Sequence, residues 1–129
     1  MILADTDVLI DYLNGISPVF EQVVRSIETE QIATTVITIF ELLSGADEGR
    51  RGKATNVVAR SLPALPLDFA AAERAASIRR HLQRAGKSIG MADSLIAGIA
   101  LANDLPLLTR NQSHFERVPD LKLVDIQGR

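Results

Sequence analysis

Four short apolar runs, none with a polar face, are spaced along this chain: "ILA" at 2–4, "IATT" at 32–35, "ALPL" at 64–67 and "PLLT" at 106–109. A strand that is apolar on both sides has no face for water, so it belongs in a sheet covered twice. The segments between the runs carry helical periodicity. "TDVLIDYLN" reads as a helix stopped by Gly15, and Ser17-Pro18 starts a second, with the Ser17 hydroxyl as cap, running to about Glu30. "VITIFELLSG" is a helix ended by Gly45, and a basic helix follows from about Gly49 to Ser61. Asp68 caps a long helix to Ala85, stopped by Gly86, and "GMADSLIAGIALAND" forms another. "KLVDI" at 122–126 is a possible edge strand. Alternating strands and helices of this kind predict an α/β fold, a sandwich around a four- to five-stranded, mainly parallel sheet. In such sheets ligands gather beyond the carboxyl ends of the strands. Asp5 closes the first strand and Thr109-Arg110-Asn111 the fourth.

Three carboxylates stand alone in apolar surroundings. Asp5 sits at the first strand–helix junction, Glu41 is the one charge between Glu30 and Asp47, and Asp93 is the one charge in "MADSLIAGIALA". From Asp93, helical spacing leads to Ile96, Ala97 and Ala100, an apolar and small face. Isolated ionised carboxylates are costly to bury unless neutralised, paired or bound to a metal, and none of these segments holds a Lys or Arg. If the three converge, their repulsion requires a cation, and hard oxygen ligands favour Mg²⁺ or Mn²⁺ over zinc. Each acid also has an ordinary structural use. Asp5 can cap its helix, and Asp93, in a first turn, favours the helix dipole. Asp7 and Asp11, four apart on the first helix, are expected to face solvent or a neighbouring Arg rather than a metal.

Charge divides unevenly along the 129 residues. Residues 1–48 carry a net charge of -8 and residues 49–92 a net charge of +7, within a total of -2. That layout suits a polyanion held by cations beside an acidic site. The absence of cysteine excludes disulfides and thiolate zinc sites. No signal-peptide pattern, membrane-length apolar run, repeat or linker interrupts the chain, so the expectation is one domain over 1–129, cytoplasmic, with no membrane contact.

These residues resemble the PIN-domain nucleases, and especially the VapC-type toxins of toxin–antitoxin pairs. "ILADTDVLIDYL" is similar to the family's opening strand and helix, with Asp7 where Asn is usual. "TTVITIFELLSGA" resembles its second block and "IGMADSLIAGIALANDLPLLTRNQSHFERV" its third and fourth, in the family's order and over nearly the whole chain. The resemblance implies a PIN-like α/β/α sandwich and a metal-dependent endoribonuclease that hydrolyses RNA phosphodiester bonds. Asp5, Glu41 and Asp93 would hold one or two Mg²⁺ or Mn²⁺ ions, supported by hydrogen bonds from Thr6 and Thr109. It also implies a homodimer and a VapB-like antitoxin whose C-terminal segment lies in the groove.

The chain departs from the pattern after the fourth strand, where many relatives carry a further acid. Here "TRNQSHFERV" offers Asn111, a possible carbonyl ligand, and His114, which reads as a surface residue. RNA phosphates would be met by Arg110 beside the site, with Arg80 and Arg84, one helical turn apart, as further candidates. Two other readings compete. "DTDVL" resembles the Asp-x-Asp opening of haloacid-dehalogenase-type phosphatases, with Asp5 as nucleophile and Asp7 as general acid, but "LLTRNQ" lacks that family's late acidic pair. The second is a degenerate PIN domain that binds RNA or protein without catalysis.

Overall fold

In a computed structural model, which describes residues 1–127, the elements follow the expected alternation. They are β1 (Ile2–Ala4), α1 (Thr6–Leu13), α2 (Val19–Glu28), β2 (Ile32–Thr35), α3 (Val36–Ser44), α4 (Arg50–Ser61), β3 (Ala64–Leu65), α5 (Phe69–Arg84), α6 (Met91–Ala102), β4 (Leu107–Leu108) and α7 (Gln112–Phe115). All strand pairs are parallel, in the order β3-β2-β1-β4. The register pairs Leu3 with Ala33 and with Leu107.

In β1, β2 and β4 successive residues enter opposite cores, which is why these strands are apolar on both sides, while the edge strand β3 is partly exposed. Leu3, Ala33 and Leu107 pack with Ile78, Leu82 and Ile96 of α5 and α6 and with Phe115. Ala4, Ile32 and Leu108 pack on the other side with Val8, Leu9, Val19, Val23 and Leu42 of α1, α2 and α3. The result is the expected α/β/α sandwich. The path leaves β1 toward β2 and β3, then returns across the sheet to β4. The crevice between the carboxyl ends of β1 and β4 is therefore the topological switch point, where such folds bind ligands.

Two expectations need correction. Segment 122–126 makes only a single parallel bridge, Leu107 to Leu123, closed by 2.9 Å bonds from the Leu107 N–H to Lys122 and from the Val124 N–H to Leu107. The segment therefore adds no strand, and among the described residues the sheet has four, within the expected four to five. Helix α2 begins at Val19 with Pro18, already helical, at the boundary. Ser17 lies one residue too early to cap it and hydrogen-bonds to the Glu21 carboxylate instead. Asp68 does cap α5, accepting from the Ala71 N–H at 2.9 Å.

Helices α5 and α6 approach closely at Gly98. A Cβ there would lie 2.6 Å from the Ala71 carbonyl oxygen and 2.7 Å from the Ala75 Cβ. Ala is the better helix former by about 1 kcal/mol, yet the clash is with backbone and cannot relax cheaply. Gly98→Ala is expected to destabilise by about 1–3 kcal/mol, read as a lower urea midpoint. An unchanged or higher midpoint would show that the helices can separate without cost.

Candidate active site

Asp5 leaves β1 as the N-cap of α1, with its Oδ1 accepting from the Thr6 N–H at 2.8 Å. Its Oδ2 accepts from the Thr109 hydroxyl at 2.7 Å, and Asp5 is almost fully buried. The capping use and the site use thus coincide in one carboxylate. Thr6 turns its hydroxyl the other way and donates to Glu41 Oε1 at 2.6 Å. The Thr38 hydroxyl, fully buried one helical turn before Glu41, is bonded to Thr6 at 3.0 Å. Thr6 therefore links the start of α1 to the acid of α3.

Asp93, in the first turn of α6, is approached from the turn after β4. Asn111 Nδ2 lies 3.4 Å and His114 Nδ1 3.3 Å from Asp93 Oδ2. Asn111 turns its amide nitrogen, a hydrogen-bond donor, to Asp93. The turn is held by the Asn111 N–H, which donates to the Thr109 hydroxyl at 3.0 Å, and by the fully buried Phe115.

A second acidic pair fastens the other side of this turn. Asp7 accepts from the Arg110 N–H at 3.1 Å, and its Oδ2 lies 3.3 Å from the Thr109 hydroxyl oxygen that bonds to Asp5. Asp11 is buried and paired with Arg110 Nε at 2.9 Å. Of the expected solvent or neighbouring Arg, Asp11 finds the Arg side chain but in a buried position, and Asp7 meets only the Arg110 main-chain N–H. Arg110 is also less free than a simple phosphate contact would be, since Asp11 takes its Nε. Arg110→Ala would leave the Asp11 charge buried without its partner. Because the Arg side chain is half exposed, the expected loss is only about 1–2 kcal/mol, and Asp11→Asn should recover most of it in the double variant. A double variant as unstable as Arg110→Ala would mean that packing, not charge, is lost.

Electrostatics separate the acids. Burial pushes the Asp5 carboxyl from 3.8 up to about 7, the Asp7 charge pushes in the same direction, and Asp93 adds a smaller push. Hydrogen bonds from Thr109 and Thr6 oppose the rise. Asp7 is also raised, chiefly by burial, against the Arg110 N–H and charge. Among the described residues, neither Asp5 nor Glu41 has a Lys or Arg at salt-bridge distance. Nor do three Asp, Glu or His side chains stand close enough, as placed, to share one ion. The donor chemistry nevertheless fits a divalent cation: oxygens of Asp5, Glu41 and Asp93, an excess of negative charge, and hydroxyls that orient the first two.

Arg80 and Arg84 are exposed on α5 and make no hydrogen bond or ion pair with these acids. Sequence reasoning missed Thr38 and the contact of His114 with Asp93. Thr38 had a usable signal, a polar residue three before Glu41 on the same helical face. The three-residue spacing of Asn111 and His114 would have served likewise.

Residues 2–121 match the family described as PIN domain. Ribonuclease VapC10 of Mycobacterium tuberculosis is 34% identical over 122 residues, which cover 95% of this chain and 91% of that protein. The chain belongs to the PIN-domain family, in its VapC branch. Another relative, the tRNA(fMet)-specific endonuclease VapC of Salmonella typhimurium, is 31% identical over 78% of this chain and 79% of its own length. Among solved structures, DNA-bound VapBC from Salmonella typhimurium superposes with a TM-score of 0.81 at 28% identity, covering 97% of this chain and 98% of that one. The PIN-domain assignment also removes the phosphatase reading, whose late acidic pair has no counterpart after β4. No helix among the described residues is long and apolar enough to cross a membrane.

Proposed function

We propose that this PIN domain is a divalent-metal-dependent endoribonuclease, the toxin half of a pair with a VapB-like antitoxin. The observation that carries the reading is the gathering of acids at the switch point, with Asp5 buried beside Asp7 and Asp93 and with neither Asp5 nor Glu41 paired to a Lys or Arg among the described residues. The names of the relatives, ribonucleases and VapBC complexes, support the same reaction and the same partner. Mg²⁺ or Mn²⁺ would be held by Asp5, Glu41 and Asp93. When bound, the ion supplies an acidified water and charge neutralisation at the scissile phosphate.

The chain's own residues prepare that chemistry. Thr109 and the Thr6 N–H fix both oxygens of Asp5, and the Thr6 hydroxyl fixes Glu41. The Asn111 amide lies against Asp93, and His114 Nδ1 stands 3.3 Å from the same oxygen. Arg110, anchored by Asp11, keeps two terminal nitrogens without protein partners among the described residues, available to an RNA phosphate. Arg80 and Arg84 would extend a sequence-independent track. The exposed Phe40, Phe69 and Met91 are the kind of surface that a second copy or an antitoxin covers.

The binding-only alternative differs in one measurable respect. Purified protein is expected to cut RNA with Mg²⁺ or Mn²⁺ and not with EDTA, and to leave a small phosphate ester intact. RNA retention without cutting, across a panel that includes tRNA, would favour the non-catalytic reading.

A further inference from the structure

His114 occupies the segment where the family pattern has a further acid, and it touches Asp93. Its ring is not a loose surface group. Phe115 beside it is fully buried, and the Asn111 N–H ties the start of α7 to Thr109. The His114 side chain is 41% exposed and that of Asp93 24% exposed, so both remain open to a solvent ion. Their ligating atoms, Nδ1 and Oδ2, are 3.3 Å apart. Two donors on adjacent corners of a six-coordinate ion with bonds of about 2.1 Å stand roughly 3 Å apart, so the observed spacing suits a shared ion. Two side-chain nitrogens reach Asp93, Asn111 Nδ2 at 3.4 Å and His114 Nδ1 at 3.3 Å, and of these only the imidazole has a lone pair to give a metal ion.

Imidazole nitrogen is a softer donor than carboxylate oxygen. Mg²⁺ prefers oxygen and keeps its waters, whereas first-row transition ions accept imidazole, increasingly so from Mn²⁺ toward Ni²⁺. We propose that His114 is a nitrogen ligand of the metal site and biases it toward transition-metal ions over Mg²⁺. The inference rests on the metal-dependent reading above. The competing role for the same contact is a hydrogen bond from Nδ1–H to Asp93, which would leave ion choice to the carboxylates alone.

The test is calorimetric titration of the metal-free protein with Mg²⁺, Mn²⁺ or Ni²⁺ alone, in wild type, His114→Ala, His114→Gln and His114→Asp, each checked for folding by circular dichroism. Wild type is expected to bind Mn²⁺ about tenfold or more tighter than Mg²⁺, and Ni²⁺ tighter still. His114→Ala and His114→Gln should shrink both ratios. His114→Asp, with an all-oxygen site, should keep Mg²⁺ binding and narrow the Ni²⁺ preference to the smaller one that carboxylates alone give. Ratios unchanged in all three variants would overturn the proposal while leaving the metal-dependent reading intact. No binding of any ion by folded wild type would overturn both.

Discussion

Asp5→Asn is expected to make the metal-free protein more stable at pH 8 and to flatten its stability against pH. In the folded chain the Asp5 carboxyl ionises near pH 7, mainly because it is buried, whereas 3.8 is its ordinary value. Between those values the folded state holds a proton that the unfolded state has released. Stability from this group is therefore highest below about pH 4, falls as pH rises, and is fully lost above about pH 7. At about 1.4 kcal/mol per pKa unit, the rise from 3.8 to about 7 sets a ceiling of roughly 4 kcal/mol. Asparagine keeps one acceptor for Thr6 or Thr109 but not both, which returns about 1 kcal/mol. A net gain of about 2–3 kcal/mol at pH 8 should appear as a melting temperature several degrees higher. At pH 4 the charge cost is nearly gone while the lost hydrogen bond remains, so the variant should melt slightly below wild type. A variant that melts at or below wild type at pH 8 would mean that Asp5 is not held against its charge.

The second large effect concerns catalysis. Asp5→Asn, Glu41→Gln and Asp93→Asn are each expected to lower kcat by about 10²-fold or more, with the KM for RNA little changed. Thr6→Val should act in the same direction but more weakly, since it frees Glu41 without removing a carboxylate. Arg110→Ala, by contrast, should raise KM and reduce the salt dependence of binding. If the acid variants lost RNA affinity and kept kcat, the carboxylates would be a structural feature of the crevice.

The layered fold was legible because its strands are apolar on both faces, and Leu3 and Ala4 do enter opposite cores. Strand order was not legible. Nothing local marks that the chain after β3 crosses to the far edge of the sheet, and this crossing brings Thr109 to Asp5. The lone acids Asp5, Glu41 and Asp93 stood out because a charge in an apolar helix or junction needs a reason. Asp11 did not, because its partner Arg110 is remote in sequence and a surface role fitted equally well. His114 read as exposed because α7 is one turn long, too short for periodicity to reveal which side faces the site. Segment 122–126 misled for the opposite reason: its apolar composition packs Ile126 into the second core while forming no ladder.

The most direct measurement is RNA cleavage by metal-free wild type and by Asp93→Asn, each before and after addition of Mn²⁺, with EDTA as a third condition. The account predicts cutting only by wild type with Mn²⁺, and none by the folded Asp93→Asn protein under any condition. Cutting that persists in EDTA, or in Asp93→Asn at the wild-type rate, would contradict a carboxylate-held metal as the source of the activity.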